Sequence, residues 1–272
     1  MATRDSHRLL TQEGYLFHSC ISNGLTNLRK ADISRKGMFY SGFFELSIGL
    51  ERLMKVIVII DHMARNALRA PNKSTLKQFS HGLTSLFDGL RLIPTMLSLH
   101  PLQAVQQNTI DWDILVFLDN FAMGARYFNL DKLASATGFS DPLLQWDAII
   151  GRILATDVPT MKRQRAARQA SALGPRLNQL AVTVFTDLSG HDLDAKGMIA
   201  SIAQHDIAAP YVIYRLVGIA TCLADLLSDV TDRARAASAT IAKNDAIFPY
   251  MNDFTAFLRL DRQSIIAKKR WP

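Results

Sequence analysis

The stretch FFELSIGLERLMKVIVIIDHMARN, residues 43–66, decides the fold class of this chain. Apolar residues fall on every side of its helical wheel, which predicts a helix that is buried nearly all round. Glu51, Lys55 and His62 are set into this helix, and at about 100° per residue they lie within roughly 40° of one another. Because buried charges cost several kcal/mol unless they are paired, we expect a polar partner to face these three side chains.

Composition indicates a folded protein with ample core. The chain has 272 residues, of which 49% are apolar and 20% charged, and this is enough for one large helical domain or two small ones. Its net charge of +7 is spread along the sequence, so it permits a polyanionic partner without requiring one. Cys20 and Cys222 are the only cysteines and have no CxxC spacing, which predicts a reducing compartment and no metal cluster.

Apolar runs in the sequence fall short of the roughly 18 residues that span a bilayer. Lys55 and Asp61 interrupt one of the two longest runs, and Arg215 and Asp225 bracket the other. Residues 1–14 lack the apolar region of a secretion signal. We therefore expect a cytoplasmic protein without a membrane partner.

Helical spacing predicts an all-α protein of about eight to ten helices. The central helix is expected at residues 36–70, with Ser34 as its cap. The other predicted helices cover residues 11–30, 76–87, 109–127, 143–154, 159–189 with a kink at Gly174–Pro175, a short segment ending at Pro210, 211–243 and 248–260. No segment shows the period-two alternation that is typical of a strand.

The segment GLERLMKVIVIIDH followed by SHGLTSLF resembles the HEPN superfamily, the small helical bundles named for higher eukaryotes and prokaryotes nucleotide binding. Many members carry a Glu followed four residues later by a Lys in one core helix, as Glu51 and Lys55 do here. A GHDL-like turn that opens the next helix is matched by residues 80–83. The resemblance covers about residues 11–133. It implies a HEPN-like bundle over residues 1–135, on which a C-terminal region built on two long helices, residues 136–272, is expected to pack.

The superfamily's ribonucleases carry an Arg and, four to six residues later, a His, often with an Asn directly after the Arg. The matching place here is Arg126-Tyr-Phe-Asn129-Leu-Asp131, with no His within six residues of Arg126. This departure favours a catalytically silent protein of a prokaryotic defence or toxin–antitoxin-type system that binds a nucleotide, RNA or a protein partner. The alternative is a metal-independent endoribonuclease that uses Arg126 and Asn129 in the cleft of a homodimer, the assembly that the resemblance implies.

Candidate catalytic residues are Arg126, Asn129 and His81, and candidate binding residues are Glu51, Lys55, His62 and Asp131. Each has a structural alternative. The Glu51–Lys55 pair either is a buried ion pair or faces a groove that holds a phosphate or base. His81 either hydrogen-bonds a neighbouring helix or meets that pair. Arg126 either pairs with Asp119 or Asp131, or offers its planar fork to a phosphate.

Two further patterns carry weaker signals. Lys162, Arg163, Arg165 and Arg168 crowd the start of a long helix, where a solvated face is expected, although cations there oppose the helix dipole and mildly favour an anionic partner. The pairs His191–Asp192 and His205–Asp206 resemble those of metal phosphohydrolases, but their surroundings are typical of loops and caps. No metal site and no cofactor are therefore expected.

Overall fold

The computed structural model describes residues 2–72, 82–135, 138–178, 185–241 and 248–272. Within these residues nine α-helices form: α1 (Ala2–Lys30), α2 (Lys36–Arg65), α3 (Leu83–Leu90), α4 (Ile110–Met123), α5 (Phe128–Leu133), α6 (Pro142–Thr156), α7 (Thr160–Asn178), α8 (Ala195–Ile241) and α9 (Arg262–Ala267). Short 3-10 segments lie at Ile33–Arg35, Pro101–Ala104, Ala125–Tyr127 and Met251–Leu258. One small hairpin pairs β1 (Phe185–Thr186) antiparallel with β2 (Asp192–Leu193). The predicted all-α fold class is confirmed.

Helices α1 and α2 pack antiparallel at close range. A Cβ atom on Gly42 of α2 would lie 2.6 Å from the side chain of Leu28, and one on Gly49 would lie 2.8 Å from Ile21. Gly42 thus faces Leu28, whereas Gly49, later in α2, faces Ile21, which is earlier in α1. The two helices therefore run in opposite directions. Glycine at these two positions permits the contact, since any larger residue would force the helices apart.

An aromatic cluster joins α2 to α4 and α6. The Phe43 ring lies 4.6 Å from that of Phe117, 5.4 Å from that of Phe121 and 4.9 Å from that of Trp146, measured between centroids. Edge-to-face pairs at such distances add to the hydrophobic gain of burying the rings. Trp146 lies beyond residue 135, so residues on both sides of that predicted boundary share one hydrophobic core.

Side chains also fix the connections between helices. Asp119 on α4 accepts the backbone N–H groups of Leu83 and Thr84 at 2.9 and 3.2 Å, and so caps the start of α3. Lys36 donates from Nζ to Thr186 Oγ1 at 2.8 Å and to the Asp187 carbonyl at 2.6 Å, which ties the hairpin to the start of α2.

Helix α8 runs without a break through Pro210, whereas the sequence predicts that one helix ends there and the next begins. A proline inside a helix removes a backbone hydrogen bond and disfavours the helix by about 3 kcal/mol. Its neighbours Ala208, Ala209, Tyr211 and Val212 are all buried in the core. The continuous helix is retained because the burial of these neighbours outweighs the local cost.

Other boundaries also differ from the prediction. Helix α1 begins at Ala2, earlier than the predicted residue 11. Helix α7 ends at Asn178, well before the predicted end near residue 189, and Phe185–Thr186 is a strand. The predicted helix over residues 76–87 is observed only as α3, because residues 73–81 lie outside the described part of the chain.

Ala195–Thr240 within α8 is long and apolar enough, by length and composition, to cross a membrane, which corrects the expectation that no apolar run reaches that length. Its most apolar window is 61% buried inside the fold. Such burial fits the core helix of a soluble protein, because the apolar side chains are already covered by other helices.

A buried ionic network connects α2, α8 and the loop after α3. Arg233 donates from Nη1 to Asp61 Oδ1 at 3.2 Å and from Nε to Asp229 Oδ2 at 3.1 Å. The side chains of Asp61 and Asp229 are only 2% and 4% exposed. Asp229 also accepts the backbone N–H of Met96 at 2.9 Å, and Arg65 pairs with Asp61 from the rim.

We predict that Arg233→Ala lowers the free energy of unfolding by about 3–5 kcal/mol, because it leaves two buried carboxylates without their shared cation. Urea denaturation monitored by circular dichroism measures the loss. Arg235→Ala is the matched control, since Arg235 lies on the same helix, stacks over the Tyr250 ring at 5.1 Å and forms no ion pair with a described residue. Equal losses in the two variants would contradict a central role for the network.

Candidate functional site

The predicted Glu51–Lys55 ion pair is confirmed, but it lies at the surface. The two side chains are 27% and 33% exposed, so the expectation of a helix that is buried nearly all round is wrong for this face. The pair lines a groove of about 450 Å³ between α1 and α2. A second ion pair, in which Arg52 donates to Glu13 at 2.7 Å, shares the groove and provides the expected polar neighbours.

The charges of this groove cancel. Glu13 and Glu51 contribute two negative charges, Arg52 and Lys55 contribute two positive ones, and each cation is already paired with a carboxylate. A phosphate would have to displace one of these carboxylates. The groove is therefore a poorer anion site than the sequence suggests.

His62 does not line this groove. His62 is partly exposed in the last turn of α2. Eleven residues separate it from Glu51, which corresponds to about 16 Å along the helix axis. His81, which was predicted to meet the Glu51–Lys55 pair, lies outside the described residues.

Arg126 is exposed in the 3-10 segment after α4, with its guanidinium carbon 4.9 Å from the centroid of the Tyr127 ring. Among the described residues it forms no ion pair. The structural alternative, in which Arg126 pairs with Asp119 or Asp131, is therefore wrong, and the carboxylate of Asp119 caps α3 instead. The guanidinium is available to a ligand, as the functional reading requires.

Asn129 lies one turn after Arg126 and donates from Nδ2 to the hydroxyl of Tyr40 at 3.1 Å. Burial raises the pKa of Tyr40, and the hydrogen bond from Asn129 only partly offsets it. Tyr40 precedes Glu51 by eleven residues on α2, about 16 Å along the axis. Within one chain, Arg126 and Asn129 thus lie away from the Glu51–Lys55 pair. Asp131 follows on α5, half-buried.

A different site, which the sequence analysis missed, surrounds a cavity of about 540 Å³ that we call the Arg215 cavity. It lies where α8 meets the start of α4, the end of α6 and the start of α9. Its charged and aromatic lining consists of three arginines, two aspartates and two tyrosines: Arg215, Arg259, Arg262, Asp111, Asp157, Tyr211 and Tyr214. Convergent polar side chains around an apolar cavity of this size are typical of ligand sites.

Arg215 is fixed by two carboxylates. It binds Asp157 through two hydrogen bonds, of 2.5 and 2.8 Å, and donates from Nη1 to Asp111 at 2.9 Å. These hydrogen bonds raise the pKa of Arg215. Desolvation alone would raise the pKa of Asp157, but the hydrogen bonds from Arg215 and Thr156 outweigh it and hold that pKa below 3.8. Arg215 and Asp157 therefore stay charged at neutral pH, and their contacts together with the contact to Asp111 hold α4, α6 and α8 together.

The other two arginines of the cavity differ from each other. Arg259 donates to Asp225 at 2.9 Å and is thus neutralised. Arg262 stacks over the Tyr214 ring, 5.4 Å from its centroid, and forms no ion pair with a described residue. Its charge helps to lower the pKa of Asp157 without a direct ion pair, so its guanidinium fork is exposed at the cavity wall and can bind a phosphate or carboxylate.

Cys222 also lines the cavity, but it is no nucleophile at neutral pH. Burial and the charge of Asp225 raise its pKa to about 11, so the thiol stays protonated. In the described part of the chain no three His, Cys, Asp or Glu side chains converge as metal ligands. His191 contacts Asp187 at 3.2 Å, and His205 is bonded to the Ser201 carbonyl at 2.7 Å.

One sequence signal could have indicated the Arg215 cavity. Tyr211, Tyr214, Arg215, Gly218 and Cys222 follow a helical spacing of three or four residues, which places them on one face of an otherwise apolar helix. From the sequence alone, Arg215 marks only one end of an apolar run. The same residue is the centre of the polar lining.

Comparison of the chain with protein-family models, with curated proteins and with solved structures finds no match. The function is therefore argued from the site alone, and the resemblance to the HEPN superfamily stays a prediction.

We predict that Asp157→Asn lowers the free energy of unfolding at pH 7 by about 1–3 kcal/mol, because it weakens hydrogen bonds to a charged partner. The folded-state pKa of Asp157 lies below 3.8, so its contribution is complete above that value and is lost as the pH falls through the folded-state pKa. Urea denaturation of both proteins should thus show a gap at pH 7 that narrows below pH 3.8.

The matched control for this prediction is Asp113→Asn. Asp113 pairs with Arg152, and these side chains are 35% and 50% exposed. Surface pairs of this kind contribute about 0–1 kcal/mol, so this variant should remain close to wild type at pH 7. A gap that is independent of pH for Asp157→Asn would contradict the assigned ionic role.

We also predict a small coupling between Glu51 and Lys55. A double-mutant cycle with Glu51→Ala and Lys55→Ala should give a coupling free energy below about 1 kcal/mol, because the pair is partly exposed. Thermal and urea denaturation of the four proteins measure it. A coupling of about 3 kcal/mol or more would restore the buried pair that the sequence predicts.

Proposed function

We propose that the protein is a binding protein that takes up a nucleotide in the Arg215 cavity without turning it over. The observation that carries the proposal is the guanidinium of Arg262, which forms no ion pair with a described residue and stacks on Tyr214 in the wall of this cavity of about 540 Å³. The other arginines of the lining, Arg215 and Arg259, are paired with carboxylates. One unpaired cation beside an apolar cavity favours a ligand with an anionic group and a flat or apolar body.

Size and lining support a nucleotide in particular. The cavity volume falls within the range of about 300–1,000 Å³ that small-molecule sites occupy. A phosphate group can accept two parallel hydrogen bonds from the Arg262 fork. The base then packs against the apolar part of the lining, which includes Val217, Leu258 and Ile265.

The lining also supports binding over catalysis. No histidine stands among the described residues that line it, and the Cys222 thiol is protonated at neutral pH. Arg215 occupies both oxygens of Asp157 and one oxygen of Asp111, the two carboxylates of the described lining. A general base must reach the proton that it abstracts, and the ion pairs with Arg215 restrain both carboxylates.

The wider setting of this function rests on the resemblance alone. A HEPN-like protein is expected to bind a nucleotide or RNA and to belong to a prokaryotic defence or toxin–antitoxin-type system. The cationic and apolar lining of the Arg215 cavity supports nucleotide binding. The cavity does, however, lie away from the Glu51–Lys55 pair on which the resemblance rests.

A second candidate function, RNA cleavage in a dimer cleft, is favoured by one observation. Arg126 is exposed, unpaired among the described residues and stacked on Tyr127, with Asn129 one turn later. An arginine beside an exposed aromatic ring is a common platform for single-stranded RNA. This function needs two chains to bring the groups together, so a monomer in sedimentation at micromolar concentration would exclude it.

We predict that Arg262→Gln weakens nucleotide binding at least about tenfold, the effect of losing a charge-assisted contact of about 1.4 kcal/mol. Isothermal titration calorimetry with nucleoside monophosphates and triphosphates measures the affinity. Arg126→Gln is a matched control, because it too removes a guanidinium stacked on a tyrosine. The control should bind nucleotides as the wild type does.

The same two variants separate the candidate functions when labelled single-stranded RNA replaces the nucleotide. Loss of RNA binding or cleavage in Arg126→Gln alone would favour the second candidate. Nucleotide affinity that is unaffected by Arg262→Gln, or absent from the wild type, would overturn the first.

A further inference from the structure

We propose that the cleft between α7 and the start of α8 is a second binding site, which takes a linear organic dianion such as an α,ω-dicarboxylate. The cleft encloses a cavity of about 300 Å³, which we call the Arg163 cavity. Arg163 and Lys196 are its charged residues, and no acidic side chain of the described chain lines it. It shares no residue with the Arg215 cavity.

Arg163 has an unused donor. Its Nη2 donates to Thr160 Oγ1 at 3.1 Å, whereas its Nε is buried and has no hydrogen-bond partner. A buried N–H without an acceptor is unfavourable, and a carboxylate in the cavity would supply the missing acceptor. Lys196 forms no ion pair with any described residue, so the second cation of the cavity is also unneutralised.

The four cations at the start of α7 behave differently from one another. Lys162 reaches the hydroxyl of Tyr211 at 3.4 Å, and Arg165 and Arg168 are exposed. Only Arg163 lines the cavity. Arg165 and Arg168 therefore belong to the solvated helix face that the sequence predicts. Arg163 is the residue of this group that we expect to bind the anionic partner.

The two cations enter the cavity from opposite ends. The contact between Lys162 and Tyr211 places the start of α7 beside the middle of α8. The lining residues of α7 run from Arg163 to Ser171, about 12 Å along its axis, and those of α8 run from Lys196 to Ile207, about 16 Å. Because the two helices run in opposite directions, Arg163 and Lys196 stand at opposite ends of this lining. A linear molecule with a charge at each end fits two cations placed in this way better than a compact anion does.

The wall between the cations is mostly apolar. Ala166, Ala170 and Ala200 line it together with Leu154 and Ile207, and Ser171 and Gln204 are its two polar uncharged residues. The small alanine side chains leave room for a methylene chain. In an α,ω-dicarboxylate, one carboxylate would pair with Arg163 and the other with Lys196. The methylene chain between them would pack against the alanines of the wall.

The test is a titration of the full-length protein with the series succinate, glutarate, adipate, pimelate and suberate by isothermal titration calorimetry. We expect the affinity to pass through a maximum along the series, because only one range of lengths reaches both cations. Hexanoate, which has one charge on a chain of the same length as adipate, should bind at least about tenfold more weakly than the best diacid.

Arg163→Gln and Lys196→Gln should each weaken the best diacid at least about tenfold and bring it to the level of hexanoate. Arg165→Gln is the matched control, since it removes an exposed cation two residues from Arg163 and should leave the affinity unchanged. Arg262→Gln should also leave it unchanged, which separates this site from the proposed nucleotide site.

Three results would overturn the proposal: no binding of any diacid, an affinity that does not depend on chain length, or an equal loss in Arg165→Gln. Loss of diacid binding in Arg262→Gln alone would place the diacid in the Arg215 cavity and would equally overturn it. None of these results depends on whether the protein binds nucleotides.

Discussion

The arrangement of this protein depends on the buried pairing of Arg233 with Asp61 and Asp229. In a low-dielectric interior these charges are tolerable only while they remain paired, and their hydrogen bonds have directions that apolar contacts lack. The network therefore holds α8 at one register against α2. Because α8 is a single helix of 47 residues, a register fixed near Arg233 also fixes the position of Arg215, about 27 Å away along its axis.

Charge pairing also distinguishes the structural groups from the candidate binding groups. Arg233 and Arg215 each contact two carboxylates, so their charges serve to connect helices. Glu51 and Lys55 form an ion pair with each other at the surface of α2. Arg262 and Arg163 differ, because each lies beside a cavity and forms no ion pair with a described residue. A cation without a carboxylate partner beside a cavity can bind an anionic ligand. The two proposed binding sites are therefore the cavities beside Arg262 and Arg163, and neither cavity is lined by Glu51 or Lys55.

The sequence predicted the helices, which depend on local periodicity. It did not predict the features that depend on contacts between residues far apart in the chain. Helix α2 was predicted closely, because the apolar residues of 43–66 leave few other conformations, and the four-residue spacing of Glu51 and Lys55 was enough to predict their contact. The predicted helix end at Pro210 was wrong, because the burial of its neighbours outweighs the unfavourable effect of a proline inside a helix. The Arg215 cavity was out of reach, since Asp111 and Arg262 stand far apart in the chain and only the packed fold brings them together.

Two arginines stacked on tyrosines show how the surroundings decide what the same chemistry can do. Arg126 on Tyr127 stands on the open surface, where water and salt screen any contact with a phosphate. Arg262 on Tyr214 is also exposed, but it borders a cavity whose apolar walls can enclose the rest of a small ligand. A small ligand with a single phosphate needs the second setting. A polyanion can use the first, because many weak contacts add up along its length.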